Sequence, residues 1–263
     1  MVSLSANLSM LFYEVNFLDR FAQASRAGFR GVECQFPYQW EKEALAERLN
    51  KYGLELVLHN MPPGNLSAGE RGLACLPGRE GEFQESVGLA IEYARFLECR
   101  RLNCMAGIPA AAVPVEKTRR TLVDNLRFAA AALEKEGISL LVEALNRYDA
   151  PGFYLNNSPD TLRLIDEVNR ANLWFQYDIY HMQIMEGNLM KTVRENLTRI
   201  AHIQLADNPG RHEPGTGEIN FTNLLRFIDE AGYNGWVGCE YRPAGATEEG
   251  LKWAKPYLRK GGE

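Results

Sequence analysis

The sequence predicts an α/β fold, a single (β/α)8 barrel forming one domain over residues 1–263. Two observations carry that expectation. Eight short apolar runs, with ends at Asn7, Glu33, Asn60, Met105, Glu143, Asp178, Gln204 and Glu240, alternate with stretches of helical period. Strands alternating with helices imply a parallel sheet, and each gap holds one crossover helix and two loops. Seven of the eight ends are polar, which fits a barrel whose site lies at the C-terminal ends of its strands. A doubly wound sheet is the runner-up. It would place a glycine-rich phosphate turn after the first strand, and Leu8-Ser9-Met10-Leu11-Phe12 is not one.

In order, the first strand is expected over Ser3 to Leu8. Apolar Phe17, Leu18, Phe21, Ala22 and Ala24 then predict a helix to Ala27, stopped by Gly28. Gly31-Val32-Glu33 leads into strand two. Lys42 to Lys51 is a helix with Leu45, Leu49 and Tyr52 on one face, ended by Gly53. Leu54 to His59 is strand three. Residues 61–79 read as a long Gly/Pro-rich loop, in which Arg71 and Arg79 cap a pocket or brace the loop. A helix over Glu82 to Leu97, strand four over Arg101 to Met105 and a long helix over Glu116 to Glu136 follow. Strand five is Leu140 to Glu143, an apolar run that ends in a carboxylate. Ser158-Pro159-Asp160 starts a helix, with Pro in the first turn, running to about Val168. Leu173 to Asp178 is strand six, followed by a helix over His181 to Asn196 broken at Gly187. Ile200 to Gln204, a helix over Phe221 to Ala231, the strand ending at Glu240 and a last helix over Thr247 to Leu258 complete the eight units. Gly215-Thr216-Gly217 reads as a turn.

The totals describe an ordinary globular protein, with 46% hydrophobic and 24% charged residues. A net charge of -5 argues against a nucleic-acid binder, which would show a basic face. No run is long enough to span a membrane, and Met1-Val2-Ser3-Leu4-Ser5 has no signal-peptide character. Five Cys without a CxxC pair suit a reducing cytoplasm.

Glu143, Asp178, Gln204 and Glu240 are oxygen donors on strands five to eight. Three carboxylates and an amide suit one hard divalent ion, Mg²⁺ or Mn²⁺; a zinc site would show more His or Cys. Glu143 and Glu240 double as candidate catalytic acid–base groups, standing on strands three apart around an eightfold ring. Arg211, just after strand seven, is a candidate bidentate anchor for a substrate carboxylate. His181, Glu33 and His59 are candidate pocket residues. No nucleotide-cofactor motif is present.

Val142-Glu143-Ala144-Leu145-Asn146, Gln176-Tyr177-Asp178-Ile179-Tyr180-His181, His202-Ile203-Gln204-Leu205-Ala206-Asp207 and Gly238-Cys239-Glu240-Tyr241 resemble the hydroxypyruvate isomerase family of the xylose-isomerase-like TIM barrels. Residues 68–80, and Arg211-His212-Glu213-Pro214 with Gly217-Glu218-Ile219, extend the likeness nearly end to end. The resemblance implies a metal-dependent isomerase that converts a small hydroxy-oxo acid through an enediolate. The reaction would be hydroxypyruvate to tartronate semialdehyde, or the similar 2-oxo-tetronate reaction. A ketose 3-epimerase of the same superfamily is the alternative. An endonuclease IV-type nuclease would need a His-rich site, and the chain has four His. A barrel that binds a metabolite without turnover and a homo-oligomer both stay open.

Overall fold

The computed structural model describes residues 1–258. The eight strands run in chain order around a closed parallel barrel. Within it the chain forms two compact units, Met1–Val57 with the segment from Tyr177 onward, and Leu58–Gln176.

In the first unit β1 (Ser3–Asn7) lies between β2 (Gly31–Cys34) and β8 (Trp236–Cys239), and β7 (Ile200–Leu205) pairs with β8. The register places Ser5 opposite Gly31 and Gly238, Gly238 opposite Gln204, and Asn7 opposite Glu33. Ser5, Gly238 and Gln204 therefore share one level, with Asn7 and Glu33 above it. Glycine at 31 is a packing requirement. A Cβ there would lie 2.7 Å from the Trp236 ring.

Helices α1 (Phe17–Arg26) and α2 (Lys42–Tyr52) pack together. The Phe17 ring stacks on Trp40 at 3.7 Å and meets Phe21 edge-on at 5.7 Å. The edge-on contact adds to the burial of large apolar surface. Phe221, Leu224, Leu225 and Ile228 form the buried stripe of α8 (Phe221–Glu230) at the i, i+3, i+4, i+7 spacing of an amphipathic helix. Its first turn is capped by the Asn220 side chain, which accepts from Asn223 N at 3.1 Å.

The second unit holds β4 (Arg101–Asn103), β5 (Ser139–Glu143) and the ends of β3 (Glu55–Asn60) and β6 (Leu173–Asp178) that fall within it. Around them pack α3 (Glu80–Phe96), α4 (Val115–Glu134) and α5 (Ser158–Val168). The helix start read from Ser158-Pro159-Asp160 is observed, and Asn157 caps it by accepting from Asp160 N at 2.9 Å. Arg79 braces its loop. It holds Glu70 and, at 2.6 Å, Glu82.

Several boundaries differ from the sequence expectation. Strand four stops at Asn103, so its polar end is Asn103 and not Met105. The broken helix is two helices, α6 (Ile179–Met185) and α7 (Leu189–Asn196). Gly187 and Asn188 both adopt positive φ between them, a conformation that ends an α-helix. The last helix is one turn, α9 (Thr247–Gly250), continued by a 3-10 turn over Leu251–Ala254. All five cysteines are buried, and none forms a disulfide among the described residues. Among the described residues no helix is long and apolar enough to cross a membrane.

Candidate active site

Asp178 ends β6 and begins α6. Its Oδ1 accepts from Tyr180 N at 2.8 Å and His181 N at 3.3 Å, so the carboxylate caps the helix and faces its positive end. Burial raises its pKa, and the neighbouring Arg211 opposes that shift. His181 is buried on the first turn of α6, with Nε2 3.6 Å from Asp178 Oδ2.

Glu240, just past β8, is held from two sides. Arg211 Nη2 donates to its Oε2 at 2.6 Å. Asn7 Nδ2 and Gln35 Nε2 donate to its Oε1 at 3.1 and 3.2 Å. Burial pushes its pKa up to about 7 against the pull of Arg211, with Asp178 and Glu33 adding to the rise.

Arg211 also lies 3.9 Å from Asp178 Oδ2, and its guanidinium sits 5.1 Å from the Tyr180 ring centroid. The backbone of Arg211 has φ 57°, a costly conformation for a side-chain-bearing residue. Two main-chain bonds maintain it, Arg211 N to Asp207 O at 3.0 Å and Arg242 N to Arg211 O at 2.8 Å. Asp207 itself is fully buried. Its side chain accepts from Asn208 N, Gly215 N and Ile219 N, so one carboxylate ties down the loop that carries Arg211.

Glu33 is fully enclosed. Ser5 Oγ, Asn7 Nδ2 and Gln204 Nε2 donate to it at 2.9, 3.1 and 2.8 Å, and His202 Nε2 lies 2.8 Å away. Burial alone would raise its pKa. The charge of His202 and the hydrogen bonds from His202, Gln204 and Ser5 outweigh burial and hold it below the usual carboxylate range.

In the second unit Glu143 is buried at the end of β5, and Asn103 Nδ2 donates to its Oε2 at 2.9 Å. Asn103 Nδ2 also reaches Asn60 Oδ1 at 3.2 Å. Asn103 Oδ1 is buried with no protein partner among the described residues. His59 Nδ1 faces Asn60 O at 3.2 Å, and burial lowers its pKa to about 4.

Asp178 and His181 each offer a ligand atom for a metal ion in the first unit, and Glu143 offers one at the end of β5 in the second. The donor chemistry fits a divalent cation. In the first unit Asp178 and Glu240 are both buried beside the guanidinium of Arg211, and two buried carboxylates against one guanidinium leave negative charge that a bound cation stabilises. Asn7 and Asn103, which hold Glu240 and Glu143 in place, were not singled out by the sequence as site residues. A lone Asn at a strand end carries no periodic or spacing signal. A cavity of about 670 Å³ lined by Ser3, Arg30, Glu55 and Trp236 opens at the other ends of these strands, away from the site.

Residues 21–257 match the family model described as xylose isomerase-like TIM barrel. The chain is 52% identical over 257 residues to hydroxypyruvate isomerase of Escherichia coli (strain K12), covering 98% of this chain and 100% of that protein. It is 46% identical over 254 residues to 2-oxo-tetronate isomerase of Cupriavidus necator, covering 97% and 98%. A solved structure titled AP endonuclease, family 2, from Brucella melitensis superposes with a TM-score of 0.96 at 44% identity, covering 98% and 100%. The chain belongs to the xylose isomerase-like TIM barrel family and, within it, to the hydroxypyruvate and 2-oxo-tetronate isomerases.

Proposed function

We propose that this protein isomerises a small hydroxy-oxo acid with one divalent ion, Mg²⁺ or Mn²⁺, and that hydroxypyruvate or a 2-oxo-tetronate is the substrate. The observation that carries the acid substrate is Arg211. Its guanidinium is fixed on a tied loop among strand-end carboxylates, 2.6 Å from Glu240. A planar fork of donors in that position matches a substrate carboxylate, for which a neutral ketose has no counterpart.

The proposed ligand set is Glu143, Asp178, Gln204 and Glu240, with His181 close enough to Asp178 to join it. A divalent ion held there would polarise the substrate carbonyl and stabilise negative charge on its oxygen. The chain supplies the rest. One of Glu143 and Glu240 removes a proton from the hydroxyl-bearing carbon, and that C–H electron pair forms the double bond of an enediolate. The other returns a proton to the former carbonyl carbon. Loss of the hydroxyl proton then leaves the new carbonyl, an aldehyde from hydroxypyruvate or a ketone from a 2-oxo-tetronate, and a proton on the second oxygen completes the exchange. Arg211 holds the carboxylate throughout, and His181 hydrogen-bonds a substrate oxygen. Asn103 fixes Glu143, while Asn7 and Gln35 fix Glu240, each at the hydrogen bonds described. Glu33 and His59 remain candidate pocket residues, both enclosed.

The name of the Brucella melitensis structure raises a nuclease reading. Against it stand the net charge of -5 and the four His of the chain, since backbone phosphates call for a basic face.

The test is metal-loaded protein incubated with hydroxypyruvate, 2-oxo-tetronates, neutral ketoses and abasic-site DNA, with products followed by NMR and gel. Turnover of the acids alone is expected, with about one ion per chain by elemental analysis, from one ligand set. Ketose turnover without acid turnover overturns the acid assignment. Full activity in thoroughly stripped protein overturns the metal.

A further inference from the structure

Glu33 and Gln204 meet inside the barrel wall because of register. Gly238 on β8 pairs with both Gln204 and Ser5 and has no side chain, so the Glu33 carboxylate fills the space beside it. A Cβ at 238 would lie 2.3 Å from Glu33 Oε2. An ionised carboxylate accepts hydrogen bonds and cannot donate. Gln204 can therefore meet Glu33 only through its NH2 end, as observed at 2.8 Å. A glutamine among mixed partners could lie either way round. Against a carboxylate it has one orientation, and its carbonyl oxygen is the end presented to any other partner. A hard divalent ion binds that oxygen and not the nitrogen.

Asn7 carries the same constraint one residue further. Its Nδ2 bridges Glu33 Oε1 and Glu240 Oε1, each at 3.1 Å, and its Oδ1 accepts from Ser9 N at 3.0 Å. Both ends of that amide are thus assigned, and Glu240 is held by a donor that Glu33 orients.

We infer that Glu33 is a positioning residue, an acceptor-only hub that turns the carbonyl oxygen of Gln204, and through Asn7 the carboxylate of Glu240, into the ligand set of the divalent ion. The inference rests on the metal reading proposed for the same site. Glu33 acts through these side chains, so its effect falls on ion affinity before it falls on turnover.

A charge-swap experiment tests it, read by isothermal titration of Mn²⁺ into stripped protein. Gln204→Glu offers the ion a full carboxylate, and by charge alone should bind it more tightly. Set against Glu33, the new carboxylate meets a like charge in a buried contact. Gln204→Glu is therefore expected to bind Mn²⁺ about tenfold or more weakly than the wild type, a change of roughly 1.4 kcal/mol. Glu33→Gln/Gln204→Glu exchanges donor and acceptor across the same contact, but Asn7 Nδ2 shares that oxygen of Glu33 and would then face an amide N–H, so affinity should recover at least about threefold over Gln204→Glu without reaching wild type. A Gln204→Glu protein that binds as tightly as wild type, or more so, overturns the inference while leaving the metal site standing. A wild type that binds no Mn²⁺ removes the metal reading and the inference with it. If thermal melts show that Gln204→Glu does not fold, the double variant carries the test alone. A double variant that folds and binds Mn²⁺ measurably supports the hub, and one that fails to fold as the single variant does overturns it.

Discussion

Gly238→Ala should destabilise the protein far more than a single methyl group added at an exposed position would. The added Cβ would stand 2.3 Å from Glu33 Oε2, 2.5 Å from Oε1 and 2.6 Å from Cδ, where ordinary contact begins at 3.4 Å. Something must move by about 1 Å, a displacement of the kind that overpacked cores resist. If Glu33 yields, its bonds to Ser5 and His202 through Oε2 are the first to stretch. Hydrogen bonds to a charged group are worth roughly 1.5–3 kcal/mol each, so breaking both costs about 3–6 kcal/mol. If the β8 backbone yields, overpacking costs about 1–3 kcal/mol. The cheaper route sets the outcome, and the expected loss is about 1–3 kcal/mol, or roughly 6 °C in Tm at the middle of that range. Urea melts followed by circular dichroism would measure it as a fall in midpoint at constant slope. Gly88→Ala is the control. Gly88 lies in α3 with open space around its Cβ position, and there alanine should stabilise by about 0.5–1 kcal/mol. A Gly238→Ala protein within about 0.5 kcal/mol of wild type, the ordinary range of a surface substitution, would show that Glu33 is not pinned where the structure puts it.

Three further outcomes are expected. Arg211→Ala should weaken an acid substrate by about 1.5–3 kcal/mol, read as a rise in KM, with Arg211→Lys recovering only part; an unchanged KM in both rejects Arg211 as the anchor. Glu143→Gln and Glu240→Gln should each lose about 10²–10⁴-fold in kcat, and the double variant much less than the product; metal content is measured alongside, and near-normal turnover with metal bound sinks the two-glutamate scheme. His59 is held neutral by burial with its pKa lowered to about 4, so protonation favours the unfolded chain. Its contribution is fully present above about pH 6.5 and is lost as pH falls towards 4, amounting to about 3 kcal/mol in all. His59→Gln should flatten that part of the stability–pH curve, and a curve of unchanged slope in the variant would assign the loss to other groups.

The barrel was legible because each strand–helix unit repeats the same local grammar. An apolar run ends in a polar residue, and a helical stripe ends at Gly or Asn. Gly187 announces the break between α6 and α7, and Ser158-Pro159-Asp160 the start of α5. Strand four was read too long because Cys104 and Met105 continue the apolar run, although pairing with β5 ends at Asn103. Strand-end carboxylates are visible in a sequence because a charge after an apolar run is conspicuous. The hydrogen bonds between them are not. Ser5, Asn7, Glu33, His202, Gln204 and Gly238 meet through the register of four strands, and no local pattern records that Gly238 makes room for Glu33 or that Asn7 serves Glu240.

The loop after β7 closes on a single residue. Asp207 receives backbone N–H groups from Asn208, Gly215 and Ile219 on its side chain, and its own main chain bonds Arg211 and His212. Entry and exit of the segment are thus knotted at one point on the barrel rim. Within 208–218 the chain also reaches the segment after β8, where Arg242 N donates to Arg211 O and Ala244 N to Glu213 Oε2, so the segment is a cassette pinned at its base and braced on one side. A transplanted segment that keeps Asp207 and the glycines at 215 and 217 inherits the anchorage and brings its own choice of guest.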